Sequence, residues 1–123
     1  MSWNRIDETE DPENEEELGG TFYFAEALKV NKTLQKLRFK NNGIRPIGCK
    51  HLCDMLKINN TLKTLVLWQN EIGNQGAWML ADALKVNTGL MVLNVKKNGI
   101  EVDAEESLCT VAQDRDGFEL KVD

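Results

Sequence analysis

The chain has 123 residues, of which 41% are hydrophobic and 28% charged, with a formal net charge of −5. That length suits one folded domain, and no apolar run approaches the roughly 18 residues needed to span a bilayer. Three cysteines, an odd number without framework spacing, argue against a disulfide-stapled secreted domain. The first residues, Met1-Ser-Trp-Asn-Arg-Ile-Asp-Glu, lack the basic start and apolar core of a secretory signal, so a cytoplasmic location is expected.

Residues 1–18 hold eight acidic side chains (Asp7, Glu8, Glu10, Asp11, Glu13, Glu15, Glu16, Glu17) against one Arg5, a net of −7, which leaves +2 for residues 19–123. A like-charge block containing Pro12 and few apolar residues reads as a solvated, disordered tail. The rival reading is an imperfect N-terminal cap, because Ile6 and Asn14 lie 28 residues before Leu34 and Asn42. Against it, the strand-core positions would fall on Thr9 and Asp11, which cannot fill an apolar core.

Gly19-Gly20 punctuates the join to a first helix over residues 21–30, where Phe24 and Leu28 are expected to face the core with Ala25 in a small slot between them. Phe22 and Tyr23 are bulkier than a helix surface needs and would serve to cover the end of the core. Three stretches then follow in one phase, Leu34–Ile44, Leu62–Ile72 and Leu90–Ile100, each spaced 28 residues from the next. Apolar residues hold 34, 37, 39 and 44, then 62, 65, 67 and 72, then 90, 93, 95 and 100. Asparagine holds 42, 70 and 98. Gly20, Gly48 and Gly76 also align, as do Leu28, Leu56 and Leu84, and Asn31, Asn59 and Asn87. From each glycine onward the apolar spacing is i, i+4, i+8, one face of a helix. Each period is therefore a short strand, a turn, a helix and a return loop, with strands expected near 36–40, 64–68 and 92–96. The last period weakens to a helix over 105–113 and an edge strand over 118–122, which alternates correctly only with one residue lost from the register.

The pattern L-x-x-L-x-L-x-x-N-x-I followed by an amphipathic helix resembles the leucine-rich repeat, and the 28-residue period resembles its ribonuclease-inhibitor-like subclass. The resemblance spans residues 20–122 and implies an α/β fold: a right-handed solenoid of about 3.5–4 repeats, with a short parallel sheet on the concave side and helices on the convex side. It also implies protein binding through the concave face. Within that family the activator of Ran suggests a rival, a GTPase-activating protein, although no residue set carries over from it. A purely structural repeat unit is a third reading.

The apparent metal motif Cys49-Lys-His51-Leu-Cys53 dissolves against the repeat, because Cys49 and Cys53 stand where Ala77 and Ala81 stand one turn later. They are small core residues, a closed zinc site would need four ligands, and no metal or other cofactor is expected. With one histidine, no nucleophile placed to use it and no phosphate loop, no catalytic set emerges. Asn31-Lys-Thr and Asn59-Asn-Thr match the glycosylation pattern, but the asparagines read as left-handed residues closing each helix.

Strand residues alternate between core and surface. The outward set is Lys36, Arg38 and Lys40, then Thr64, Val66 and Trp68, then Val92, Asn94 and Lys96, with Lys97 beyond. One column across the strands is Lys40–Trp68–Lys96. The candidate partner-binding residues are Lys36, Arg38, Lys40, Val66, Trp68, Asn94, Lys96 and Lys97, and their charge favours an acidic protein partner. The competing reading is a solvated face whose one aromatic is covered by lysine stems. Nucleic acid is disfavoured, since the repeats net only +2 and no stacking platform accompanies the lysines. The acidic segment could itself fold back over this face, a closure that salt would weaken. Trp78, on a helix, could be a second contact or a packed surface aromatic. Whether the repeats stand alone or dimerise through an exposed end stays open.

Overall fold

The computed structural model describes residues 20–123; the tail or cap expected of residues 1–18 lies outside them. The elements run α1 (Gly20–Val30), β1 (Lys36–Arg38), α2 (Pro46–Leu56), β2 (Thr64–Val66), α3 (Gly73–Val86), β3 (Val92–Asn94), α4 (Val102–Gln113) and β4 (Glu119–Lys121). The four strands form one parallel sheet in the order β1-β2-β3-β4, and each helix packs on the helices adjacent to it in sequence. This is an α/β leucine-rich-repeat architecture. Leu37 pairs with Leu65 and Leu65 with Leu93, so the sequence period becomes the sheet register. Leu93 pairs with Leu120, one residue short of the period, as the alternation of the last strand requires.

The core is the space between sheet and helices. Leu37, Phe39, Leu65, Leu67, Leu93 and Val95 enter it from the strands and Ala25, Leu28, Leu52, Leu56, Leu80, Leu84 and Leu108 from the helices, all buried. Phe24 is only half-buried and meets the Phe39 ring edge-on at 5.2 Å. Cys49 and Cys53 are buried among these residues as free thiols, and Cys109 is half-buried. His51 packs edge-on against Phe22 with ring centroids 5.0 Å apart. Gly76 is dictated by contact: a Cβ there would stand 2.1 Å from Ile72 Cγ2, so the first turn of α3 packs on Ile72 through bare backbone.

The strands are shorter than the five residues expected, for a reason visible in the turns. Asn41, Gln69 and Lys97, one per repeat, take left-handed φ values of 58°, 59° and 60° and steer the chain off the sheet. Ladder bonds persist up to that point: Phe39 N donates to Val66 O at 2.8 Å and Asn41 N to Trp68 O at 3.0 Å.

The next residue in each turn is the buried asparagine. Asn70 Oδ1 accepts from Asn42 N (2.9 Å) and Ile44 N (3.1 Å), while its Nδ2 donates to Phe39 O (2.5 Å) and Leu67 O (3.0 Å). Asn98 repeats the arrangement one turn on, accepting from Asn70 N and Ile72 N and donating to Leu67 O and Val95 O. A buried turn would otherwise leave these backbone groups without partners.

A second asparagine ladder corrects the expectation for Asn31 and Asn59. Neither is left-handed, and Asn87 closes α3 at φ −69°, ψ 136°. The side chains act instead. Asn59 Nδ2 donates to Leu28 O (2.7 Å) and Asn31 O (3.1 Å), and its Oδ1 accepts from Thr61 N and Leu62 N. Asn87 does the same to Leu56 O and Asn59 O. The amide thus ties each helix end to the next repeat without a strained backbone.

Candidate partner-binding face

The outward residues of the sheet lie in columns set by the register. Lys36 stands beside Thr64, and Thr64 beside Val92 and then Glu119; Arg38 stands beside Val66, then Asn94, then Lys121. Lys36, Arg38, Lys40, Lys96 and Lys97 are exposed, whereas Thr64, Val66, Trp68, Val92 and Asn94 are half-buried. The face therefore has an apolar and neutral centre with lysines and an arginine around it.

Trp68 has a specific neighbour. Lys40 Nζ lies 4.7 Å from the ring centroid, within cation–π range. The lysine stem accounts for part of the ring's cover. The remaining area faces outward, since Leu65 and Leu67, the alternate residues that precede Trp68, are those that enter the core.

The structure also shows how far two expected members are already engaged. Asn94 Oδ1 accepts from Lys96 N at 3.1 Å, fixing the turn after β3. Lys97 sits in the left-handed turn position and its amide donates to Asp123 Oδ2 at 3.0 Å. The side chains of Lys96 and Lys97 stay exposed, but the C-terminal end of the face carries Asp123 and the Lys121–Glu119 ion pair (3.5 Å) and is not uniformly basic. The basic character is concentrated on β1 and the turn that follows it.

Trp78 lies in a different setting. It is 47% exposed on α3, beside a shallow depression shared with Val102, Glu101, Asp103 and Glu105. One tryptophan thus sits among cations on the sheet and the other near acids on the helical side.

One structural residue escaped the sequence reading. Arg115 lies one period after Asn87 and takes its place in the second ladder. Its guanidinium donates to Leu84 O (2.8 Å), to Asn87 O and to Leu90 O (2.6 Å), and rests 5.0 Å from the Phe118 ring centroid. The available signal was the spacing, 87 to 115, hidden because the residue type changes.

These turns, with their asparagine ladders and single parallel sheet, have the leucine-rich-repeat architecture. The "Leucine Rich repeat" family model matches residues 30–53 and 59–81, the first two full turns. No curated protein matches the sequence. Among solved structures the chain is similar to leiomodin-1 actin-binding site 2, with a TM-score of 0.78 and 21% identity over 99% of this chain and 69% of that one. It is also similar to the tropomodulin C-terminal domain of Caenorhabditis elegans, with a TM-score of 0.78 and 12% identity over 100% of this chain and 72% of that one. At these identities the likeness concerns the fold.

Proposed function

We propose that the chain is a non-catalytic protein-binding module of the ribonuclease-inhibitor-like subclass, and that it engages an acidic surface of its partner through the outer face of the sheet. The observation that carries the reading is Trp68, outward on the sheet and stacked by Lys40 at 4.7 Å, with half-buried Val66 two residues before it on the same face and cations around them. An apolar, aromatic centre inside a polar rim is the usual layout of an interface hot spot. The full periods of strand and helix support the subclass. Leiomodin-1 contributes a first candidate, because the similar structure is an actin-binding site; actin is therefore the partner to test first.

The experiment is a binding titration of the full chain against purified monomeric actin, followed by affinity capture from cell extract, each beside a Trp68→Ala/Lys96→Glu variant. Both substitutions are on the sheet surface, and circular dichroism checks that the fold survives. Loss of a central aromatic removes about 2 kcal/mol or more of binding energy, so the variant should bind roughly 30-fold more weakly. Equal binding of one partner by wild type and folded variant would remove the sheet face from consideration and direct attention to Trp78.

A further inference from the structure

The sheet face gives no role to Trp78. This residue is 47% exposed on α3, and the 28-residue period gives it two counterparts, Lys50 on α2 and Glu106 on α4. α3 packs between α2 and α4, so the three form a row across the helical side of the molecule. The row reads cation, aromatic, anion, and all three residues are exposed. The charge of the helices follows the same order. From cap to cap, α2 carries +2 (Arg45, Lys50 and Lys57 against Asp54) and α4 carries −5 (Glu101, Asp103, Glu105, Glu106 and Asp114). Between them α3 is neutral, with Asp82 and Lys85 paired at 3.5 Å.

The depressions between the helices repeat the contrast. Arg45 and Lys50 line the one between α2 and α3, beside Ile47 and Met79. Glu101, Asp103 and Glu105 line the one between α3 and α4, beside Trp78 and exposed Val102. A uniformly basic or acidic partner would match one half of this surface and be repelled by the other. A surface whose charge changes sign about a central aromatic is complementary to its own copy turned by half a revolution, which is the condition for an isologous contact.

We propose that the helical side is a homodimer interface centred on Trp78, in which Lys50 of each copy meets Glu106 of the other. The two-fold axis passes beside Trp78, so the two indoles meet at the centre and lose their exposed area, while the charge pairs close the rim. Packed helices lie about 8–10 Å apart, which puts Lys50 and Glu106 of one chain about 20 Å from each other. That is more than twice the screening length of about 8 Å at physiological salt, so only a second copy brings the two charges together. The core separates the helices from the sheet, and the outer sheet face with Trp68 stays open in both copies. The dimer therefore presents that face twice.

The test is sedimentation equilibrium of the full chain at low salt. Wild type should pass from monomer to dimer mass as its concentration rises from about 10 μM to about 1 mM, and then level off. Lys50→Glu and Glu106→Lys each set like charges against each other at both ends of the two-fold contact, and each should weaken the dimer at least about tenfold. Mixing the two single variants restores opposite charges at both ends, as does combining the substitutions in one chain, and both should recover the dimer. Trp78→Ser should weaken it by a similar factor. All three positions are exposed, and circular dichroism checks that each variant folds. A wild type that stays monomeric throughout, single variants that dimerise as wild type does, or a mixture that recovers nothing would overturn the proposal. A mass that climbs past the dimer would also overturn it, by assigning the row to a head-to-tail chain of copies.

Discussion

Replacing Asn70 by alanine is the sharpest test of what holds the turns together. The side chain is buried at the centre of the sheet's C-terminal edge and contributes four bonds of 3.1 Å or less. Truncation strands the amides of Asn42 and Ile44 and removes a donor from Phe39 O. Leu67 O keeps its bond from Asn98 Nδ2 at 2.7 Å, so it is not orphaned. Two buried donors and one acceptor without partners, at about 1–3 kcal/mol each, give a loss of about 4 kcal/mol after partial relaxation. A domain of this size is stable by only about 5–15 kcal/mol. With an m-value near 2 kcal/mol/M, the urea midpoint of the full chain, followed by far-UV circular dichroism, should fall by about 2 M. A fall below about 0.5 M would mean that water or backbone movement replaces the amide, and the ladder would lose its place as the reason for the asparagine column.

Two further outcomes follow from the same geometry. Arg115→Ala removes the donors to Leu84 O, Asn87 O and Leu90 O and should lower stability by about 2–3 kcal/mol; Arg115→Asn, which restores the residue type of the ladder, should recover part of it in the same urea measurement. The hydrogen bond that the Cys53 thiol makes to Cys49, then burial, holds its pKa well above the ordinary value. A raised thiol pKa favours the folded state while the thiol is neutral in both states. That contribution is complete below the unfolded value of about 8.5 and is lost as pH rises from there through the folded value. Stability measured from pH 7 to 10 should therefore fall more steeply in wild type than in Cys53→Ala, and iodoacetamide at pH 8 should modify half-buried Cys109 before Cys53.

The sheet face was readable as a set of positions but not as a set of contacts. Alternation along each strand identified Trp68 as outward, and the period aligned it with Lys40 and Lys96. It could not show that Lys40 lies over the ring, that Asn94 turns back to the Lys96 amide, or that Asp123 meets the Lys97 amide. Those depend on side-chain rotamers and on the C-terminal strand entering one residue early. The left-handed turn residues were placed in the wrong column for a related reason. Asparagine is the common non-glycine residue with positive φ, yet here asparagine, glutamine and lysine share that conformation at 41, 69 and 97. The turn bonds decide the position, and residue type does not.

By itself the sequence determined the architecture, because a hydrophobic period repeated in phase can be buried only by stacking identical turns. It likewise determined the core: the residues that recur at one period must meet across a parallel sheet whose strands lie about 4.8 Å apart. Only the tertiary structure decided which polar groups are satisfied. Hydrogen bonding is directional and needs a partner at a specific place, so Asn42, Asn70 and Asn98 are equivalent in the sequence and unequal in the fold. The same reason lets Arg115 stand for an asparagine. Its guanidinium reaches the carbonyls that an amide reaches one turn earlier, and distance and direction, not residue name, define the position.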